Sequence, residues 1–243
     1  MELLFNGSIP KDYAFPNENE DWFNINFIEH NIRIALSDGA TVSYNSQKWA
    51  KILVDYFIET GNFSAADVKK VISIYCAKGF DLNNMTLMQK RGFAFGSYAT
   101  LLCVECNSFN NNIRILGIGD TIAVLLDKES FIEAFPYISS MQFLKNPQML
   151  STNKRSNFFF VYSKNRSKFY KRWDLNSIKH PVLLCMTDAL GEWALKEMES
   201  GNCLVWEELL SISNIKDFKS FVQTKRDDNM MKIDDTTLIS IIF

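Results

Sequence analysis

The chain has 243 residues with a formal net charge of −2 at pH 7; 47% of the residues are apolar and 22% are charged. This is enough for a full hydrophobic core, in one large domain or two small ones. A net charge this close to zero gives no sign of the basic surface that binds nucleic acid, nor of a polybasic patch that binds a membrane. The apolar runs are far shorter than the roughly 18 residues that a membrane span needs. Because the first residues also lack the pattern of a secretory signal, we expect a cytoplasmic protein.

The first half of the sequence predicts a hairpin, two helices and three strands. Apolar runs on either side of His30-Asn31 indicate a hairpin over 22–28 and 32–37. Apolar residues at helical spacing predict one helix over 46–59, and a second that Ser64 caps and that ends near residue 77. Strand-like runs follow over 99–105, 113–118 and 122–126.

The second half predicts a long irregular segment followed by a strand, helices and a closing strand. Residues 135–173 are rich in Asn, Ser, Lys and aromatic residues and indicate a flap or connector. A buried strand is expected over 182–186, helices over 192–199, 206–211 and up to about 223, and a last strand over 237–243. Helices grouped between antiparallel strands favour an α+β architecture. Since no linker or repeat interrupts the chain, we predict a single domain over 1–243.

The five cysteines indicate free thiols buried in a reducing compartment. Cys103 and Cys106 form a C-x-x-C spacing, but it falls within a predicted strand. Residues three apart on a strand point to opposite faces, which suits neither a metal site nor a redox pair.

Four short acidic motifs stand at the ends of predicted strands. They are Asn19-Glu20-Asp21, Asp38-Gly39, Thr187-Asp188-Ala189-Leu190 and Asp234-Asp235-Thr236-Thr237. Each also has a plain structural interpretation: a surface turn, a tight turn, a helix N-cap and a solvated strand edge, respectively. Converging carboxylates are instead typical of a site for hard cations such as Mg²⁺ and Mn²⁺.

One explanation accounts for all of these acids: they are the ligands of a binuclear metal centre. Two cations about 4 Å apart can activate water and neutralise the oxygens of a phosphate ester. Such a pair needs a bridging carboxylate, and Asp38 is the best candidate. Gly39, which follows it, lets the backbone carbonyl approach a cation closely.

The order of the motifs resembles the metal-dependent protein phosphatases of the protein phosphatase 2C (PPM) family, over nearly the whole chain. The matching segments are Asn19-Glu20-Asp21 and residues 35–41, 117–121, 184–190 and 234–238. Phe135-Pro136 and Trp193 are similar to a bacterial-type branch of that family. The resemblance implies an α-β-β-α sandwich of two antiparallel sheets flanked by helix pairs, with metals at one end.

The resemblance also implies a set of metal ligands. Asp38 is expected to bridge two Mn²⁺ or Mg²⁺ ions, with Gly39 contributing its carbonyl oxygen. Asp188 and Asp234 are expected to hold the first ion, and Asp21 the second.

Three further acids are implied as secondary ligands. Glu20, the neighbour of Asp21, is the alternative ligand of the second ion. Asp120 matches a Gly-Asp position that can help to hold a looser third ion together with Asp188. Glu192, four residues beyond Asp188, is implied at that same third site.

The activity implied is hydrolysis of phosphoserine or phosphothreonine in a protein, by a metal-activated water and without a covalent enzyme intermediate. A phosphorylated protein substrate and a cognate Ser/Thr kinase are the expected partners of a monomeric enzyme. One departure concerns the phosphate grip: the family commonly has an Arg upstream of the first acid, and none precedes Asn19 here. Lys11 is the nearest cation, with a solvated surface lysine as the alternative interpretation.

Other classes of protein fit less well. A cysteine-dependent phosphatase needs an Arg six residues after its nucleophile, and those positions hold Leu82, Phe109, Asn112, Gly191 and Leu209. A serine hydrolase needs a histidine base, but His30 falls in the predicted hairpin turn and His180 just before Pro181. No phosphate-binding loop of the G-x-x-x-x-G-K type is present.

The remaining alternative is a catalytically silent phosphatase-like module that binds a phosphoprotein or scaffolds a signalling complex. A silent module would be expected to lose metal-binding acids, and this chain keeps them. Residues 135–173 also contain a locally basic stretch that either steers an acidic substrate or is a solvated loop.

Overall fold

A computed structural model of the protein describes residues 1–77 and 83–243. The strands are Glu2–Ile9 (β1), Trp22–Ile28 (β2), Asn31–Ser37 (β3), Tyr98–Ala99 (β4), Leu101–Asn107 (β5), Asn112–Ile118 (β6), Ile122–Asp127 (β7), Ser130–Phe135 (β8), Leu150–Ser151 (β9), Tyr170–Asp174 (β10), Pro181–Met186 (β11) and Thr236–Ile242 (β12). The α-helices are Ser46–Thr60 (α1), Asp67–Ala77 (α2), Leu87–Phe95 (α3), Phe158–Val161 (α4), Asp188–Glu199 (α5), Val205–Leu210 (α6) and Ile215–Asp227 (α7).

Two five-stranded antiparallel sheets form the centre of the fold. Sheet I has the strand order β1-β12-β11-β7-β8, and sheet II has the order β10-β6-β5-β3-β2. Helices α5, α6 and α7 pack on the outer face of sheet I, and α1 and α2 pack on the outer face of sheet II. This arrangement confirms the predicted α-β-β-α sandwich.

Each strand of the sandwich divides its side chains between two hydrophobic layers. On β3, Ile34 and Leu36 face the layer between the sheets, whereas Ala35 faces the helices. The same alternation on β5 places Cys103 beneath the helices and Cys106 between the sheets. The prediction that these two cysteines point to opposite faces is therefore confirmed, and it follows from the two-residue period of a strand.

The cysteine prediction is wrong in one respect. Cys103, Cys106 and Cys185 are buried, but Cys76 and Cys203 are exposed. All five cysteines lie in the described part of the chain and are free thiols.

Two helix starts differ from the prediction. Helix α2 begins at Asp67, three residues after Ser64, whose amide (3.0 Å) and hydroxyl (2.6 Å) both donate to Asp67 Oδ2. Helix α5 begins at Asp188, with Thr187 at the N-cap. Asp188 is therefore in the first turn of the helix, four residues earlier than the apolar periodicity indicated.

The segment 135–173 is not the free flap that its composition suggested. Three short 3₁₀-helices and α4 lead into β10, which pairs with β6 at the edge of sheet II. Phe160 and Phe169 are buried beneath the helices of sheet II. The sequence analysis also missed β1, α3 and β8, since α3 has no buried residue and β8 lies at a sheet edge with only one buried side chain.

None of the helices in residues 1–77 and 83–243 combines the length and the apolar character needed to cross a bilayer.

Candidate active site

Antiparallel pairing brings several strand ends together at one end of the sandwich. In sheet I, Met186 at the end of β11 lies beside Ile122 of β7 and Leu238 of β12. In sheet II, Leu36 of β3 pairs with Leu102 of β5, next to the end of β6. Side chains that follow β3, β6 and β11 or precede β12 are therefore neighbours in space, although they are far apart in the sequence.

Four carboxylates from these strand ends line one cleft of about 250 Å³, which we call the acidic cleft. Asp38 follows β3, Asp120 lies in the turn between β6 and β7, Asp188 opens α5, and Asp234 precedes β12. The structure thus brings together four of the acids that the sequence singled out.

Backbone hydrogen bonds hold Asp38 in place, and its carboxylate has no hydrogen-bond partner among the described residues. The Asp38 amide donates to Thr100 Oγ1 and the Asp38 carbonyl accepts from the Thr100 amide, both at 2.9 Å. Thr100 Oγ1 is in turn 2.6 Å from Thr121 Oγ1 in the next turn. The Asp38 side chain is therefore presented to the cleft by its backbone alone.

Gly39 has no room for a side chain. A Cβ at this position would lie 2.9 Å from Ser46 Cβ and 3.1 Å from the Glu20 carbonyl oxygen. The Gly39 amide donates to the same carbonyl at 3.2 Å. Glycine thus allows the chain after Asp38 to pack directly against α1 and the 20–21 segment.

Asp21 is buried and lines a separate pocket beside Trp22 and Gln47, not the acidic cleft. One of its carboxylate oxygens has hydrogen-bond partners and the other does not. Its Oδ2 accepts from Thr237 Oγ1 at 2.6 Å and from Thr187 Oγ1 at 3.0 Å. Its Oδ1 is buried without a hydrogen-bond partner. A buried carboxylate oxygen without a partner is costly, and such groups in native proteins call for an explanation, such as an ion that the structure lacks.

Glu20 and Lys11 are occupied with each other. Lys11 Nζ donates to Glu20 Oε2 at 2.7 Å and to Thr41 Oγ1 at 3.0 Å, and the other Glu20 oxygen accepts from the Ser46 hydroxyl. Asp235 fixes the backbone on both sides, since it accepts from the amides of Lys11 (2.7 Å) and Glu20 (2.8 Å). Neither Lys11 nor Glu20 lines the acidic cleft.

The cleft carboxylates repel one another. Shielding from water raises the pKa of Asp38 well above its usual range, and the charges of the other acids, Asp21 first, raise it further. Burial and the charge of Asp188 raise the pKa of Asp120 to about 7. Burial also raises the pKa of Asp21 well above the usual range. These shifts show that the metal-free site has too much negative charge for its surroundings.

The sequence analysis did not identify three features of the cleft: Lys232, the wall formed by residues 143–147 and Met149, and the exposed Lys145 within that wall. Lys232 lies between Asp188 and Asp234: its ammonium contacts Asp188 Oδ2 and is 3.3 Å from Asp234 Oδ2. Residues 143–147 and Met149 form one wall, with Lys145 exposed among them. A single lysine in a loop is ordinary, so the residue type of Lys232 does not distinguish it. The one signal in the sequence is its position two residues before Asp234.

Glu192 lies outside the acidic cleft. One turn beyond Asp188 on α5, it lines a second pocket of about 370 Å³, together with Lys196, Arg226 and Lys232. Lys232 lines both this pocket and the acidic cleft. Within residues 1–77 and 83–243, no three acidic, histidine or cysteine side chains form a ready-made metal cage.

The chain has the fold of the metal-dependent protein phosphatases of the protein phosphatase 2C (PPM) family. Its structure is similar to a bacterial serine phosphatase (TM-score 0.61, 15% identity, 98% of this chain and 97% of that one). It is also similar to the photosystem II phosphatase PBCP (TM-score 0.58, 12% identity, 97% and 96%). A third similar structure is the serine/threonine phosphatase Stp1 from Staphylococcus aureus (TM-score 0.56, 15% identity, 99% and 96%). No protein-family model and no curated relative matches the sequence.

Proposed function

We propose that the protein is a Mn²⁺- or Mg²⁺-dependent phosphatase that removes phosphate from serine or threonine in a phosphorylated protein. The observation that carries this proposal is Asp38: a carboxylate held by its backbone, without a hydrogen-bond partner in the described chain, that faces the charges of Asp21, Asp120, Asp188 and Asp234. The fold supports the same reaction class.

The donor set fits hard divalent cations. The candidate ligands are all oxygen atoms, which Mg²⁺ and Mn²⁺ prefer. Asp21 Oδ1, buried and without a partner, is the atom that most needs a cation. Asp38 would be shared by two ions, Asp188 and Asp234 would hold the first, and Asp21 would serve the second. Bound ions of this kind supply Lewis-acid activation of water and neutralise phosphoryl oxygens.

The protein's own residues prepare the site. Thr100 fixes the backbone of Asp38. Thr187 and Thr237 orient Asp21 through its Oδ2, which leaves Oδ1 as the coordinating atom. Asp120, with a pKa of about 7, is placed at the edge of the cleft and would hold a looser third ion. Residues 143–147, which form one wall, would contact the phosphoprotein substrate.

The test is hydrolysis of an aryl phosphate by the purified protein with Mn²⁺, with a chelator, and in the variant Asp38→Ala. We expect turnover that requires the metal and that the variant lacks. Asp120→Ala is the companion variant, which should weaken a third ion and leave two ions bound.

The second candidate is a phosphatase-like module that binds a phosphoprotein without hydrolysing it. Lys232 favours this candidate, because its ammonium is already in contact with one acid assigned to the first ion. Metal binding without turnover of an aryl phosphate or of phosphopeptides would support the module and contradict the enzyme.

A further inference from the structure

Lys232 bridges two acids of the cleft. It stands two residues before Asp234, in the connection between α7 and β12. Its ammonium contacts Asp188 Oδ2 and lies 3.3 Å from Asp234 Oδ2, and its side chain is 39% exposed. These are the two carboxylates that the proposed function assigns to the first metal ion.

The contact has a clear electrostatic benefit when no metal is present. The side chains of Asp188 and Asp234 are 11% and 33% exposed, so water screens their two charges only in part. A positive charge between two partly buried carboxylates relieves repulsion that would otherwise destabilise the fold.

The Lys232 side chain also has a second pocket next to it, into which it can move. Its side chain borders both the acidic cleft and the second pocket of about 370 Å³. That second pocket contains one carboxylate, that of Glu192, besides the cations Lys196 and Arg226. Lysine suits such a movement, because it is a compact charge on a flexible four-carbon stem.

We propose that Lys232 is an internal cation that neutralises Asp188 and Asp234 in the metal-free protein and that a divalent ion must displace it to bind there. This inference rests on the proposed function, since it requires that the cleft takes up divalent ions. Lys232 thereby lowers the metal affinity of the cleft below that of the same acids alone. The protein takes up metal only when the ion concentration is high enough to compete with its own lysine.

The experiment compares three full-length proteins, each stripped of metal with a chelator and then titrated with Mn²⁺ by calorimetry. The proteins are the wild type, Lys232→Met and Lys145→Met. Lys145 is the matched control: it lines the same cleft, within the wall formed by residues 143–147, and among the described contacts no ion pair joins it to a cleft acid. Methionine keeps the apolar stem of lysine and removes the charge.

We expect Lys232→Met to bind Mn²⁺ at least about tenfold more tightly than the wild type, which corresponds to about 1.4 kcal/mol. We also expect its melting temperature without metal to fall, because Asp188 and Asp234 lose their counter-charge. Lys145→Met should change the Mn²⁺ affinity by less than about threefold, as a general charge effect predicts for an exposed cation. Lys232→Gln, which keeps a polar group, should show the same tightening and serves if the methionine variant does not fold.

The other outcomes separate this inference from the proposed function. Unchanged or weaker Mn²⁺ binding in both Lys232 variants would overturn the inference and leave the metal-dependent enzyme intact. Equal tightening in the Lys232 and Lys145 variants would overturn it too, since the contact would then not matter. Absence of Mn²⁺ binding in all the proteins would contradict the proposed function itself.

Discussion

Two groups of charged residues in this protein are built in opposite ways. In the acidic cleft, carboxylates face one another, and Lys232 contacts only two of them. On the helix side of sheet II, Arg33, Glu105, Arg114 and Arg172 stand side by side on neighbouring strands; we call them the arginine row. There Glu105 lies between two arginines and contacts both, with Arg33 Nε at 3.8 Å.

The two regions also differ in cavity size, and the candidate active site is the smaller cavity. The arginine row borders a cavity of about 630 Å³, more than twice the volume of the acidic cleft. Its one acid, Glu105, contacts two of its three arginines, and Arg33 additionally donates to the Ile58 carbonyl at 3.2 Å. In the acidic cleft, burial and the neighbouring acids instead raise the pKa values of Asp38 and Asp120, and chemistry is expected where pKa values are perturbed in this way.

The largest effect is expected from Asp38→Asn, which keeps the shape of the side chain and removes its charge. Aryl phosphate hydrolysis with Mn²⁺ should fall by about a thousandfold or more, because both ions lose a shared ligand. The metal-free protein should nevertheless become more stable at pH 7, by at least about 1 kcal/mol, since a carboxyl with a raised pKa destabilises the fold when it must ionise. Denaturant unfolding with chelator present measures this gain. Reduced stability together with lost activity would indicate a folding defect and contradict the repulsion argument.

The second effect is a pH dependence of the metal-free protein. Asp120 has a pKa of about 7 in the folded protein, compared with 3.8 in the unfolded chain. Between these values the folded state binds more protons than the unfolded state, so the free energy of unfolding should fall as the pH rises. The slope is about 1.4 kcal/mol per pH unit for each linked proton.

Urea unfolding at pH 4.5, 5.5 and 6.5 in the presence of a chelator tests this dependence, and Asp120→Asn should reduce the slope. The window avoids Asp67: burial raises its pKa, but hydrogen bonds from Ser64, Lys70 and Tyr56 outweigh burial and lower the pKa to about 2. Asp67 contributes stability that is lost only below about pH 4. A flat profile above pH 4.5 would contradict the pKa shift of Asp120.

A smaller and opposite effect is expected from Glu105→Gln in the arginine row. This change removes the one acid between Arg33 and Arg114; because the Arg114 side chain is 67% exposed, the free energy of unfolding should fall by only about 0.5–1 kcal/mol. Charge removal would thus stabilise the acidic cleft and destabilise the arginine row. Activity with Mn²⁺ should be unchanged, because Glu105 does not line the cleft. If Glu105→Gln instead made the protein more stable, charge removal would have the same effect in both regions, and the contrast between them would be wrong.

The smallest effect is expected from Arg172→Gln. Arg172 is exposed and lies directly opposite Arg114 in the pairing of β10 with β6. Like charges in that position are mildly destabilising, so the variant should match the wild type or gain up to about 0.5 kcal/mol. A loss of more than about 1 kcal/mol in thermal unfolding would show that Arg172 has a stabilising partner.

The sequence predicted those parts of the structure that depend on local pattern. The apolar runs of β3 and β5 and the helical spacing of α1 are each visible within a few residues, and the structure has all three. The acidic motifs at Asp38, Asp188 and Asp234 are local signals too, so they are visible without knowledge of the tertiary contacts. Asp120, and the placement of these acids at one end of the sandwich, came from the resemblance to the PPM family.

The missed features depend on contacts that no local pattern encodes. Helix α3 buries none of its residues, so it has no apolar stripe to detect. The composition of 135–173 suggested a flap, yet tertiary contacts bury Phe160 and Phe169. Lys11 was considered for phosphate and Glu20 for metal, but the two pair with each other. That pairing follows from the chain crossing at Asp235, which ties residues 11 and 20 to the strand at the other end of the sequence.

The position of β12 has a kinetic consequence. This strand, which follows Asp234, lies between β1 and β11 in sheet I, so its two neighbours come from opposite parts of the sequence. Contacts of such long separation form slowly, because a large loop must close first. We therefore expect the acids of the cleft to come together late in folding, after most of the apolar surface has been buried. Their mutual repulsion would then oppose mainly the last step of folding, in which β12 pairs with its neighbours. Ions that bind only the closed site should accordingly slow unfolding far more than they speed folding.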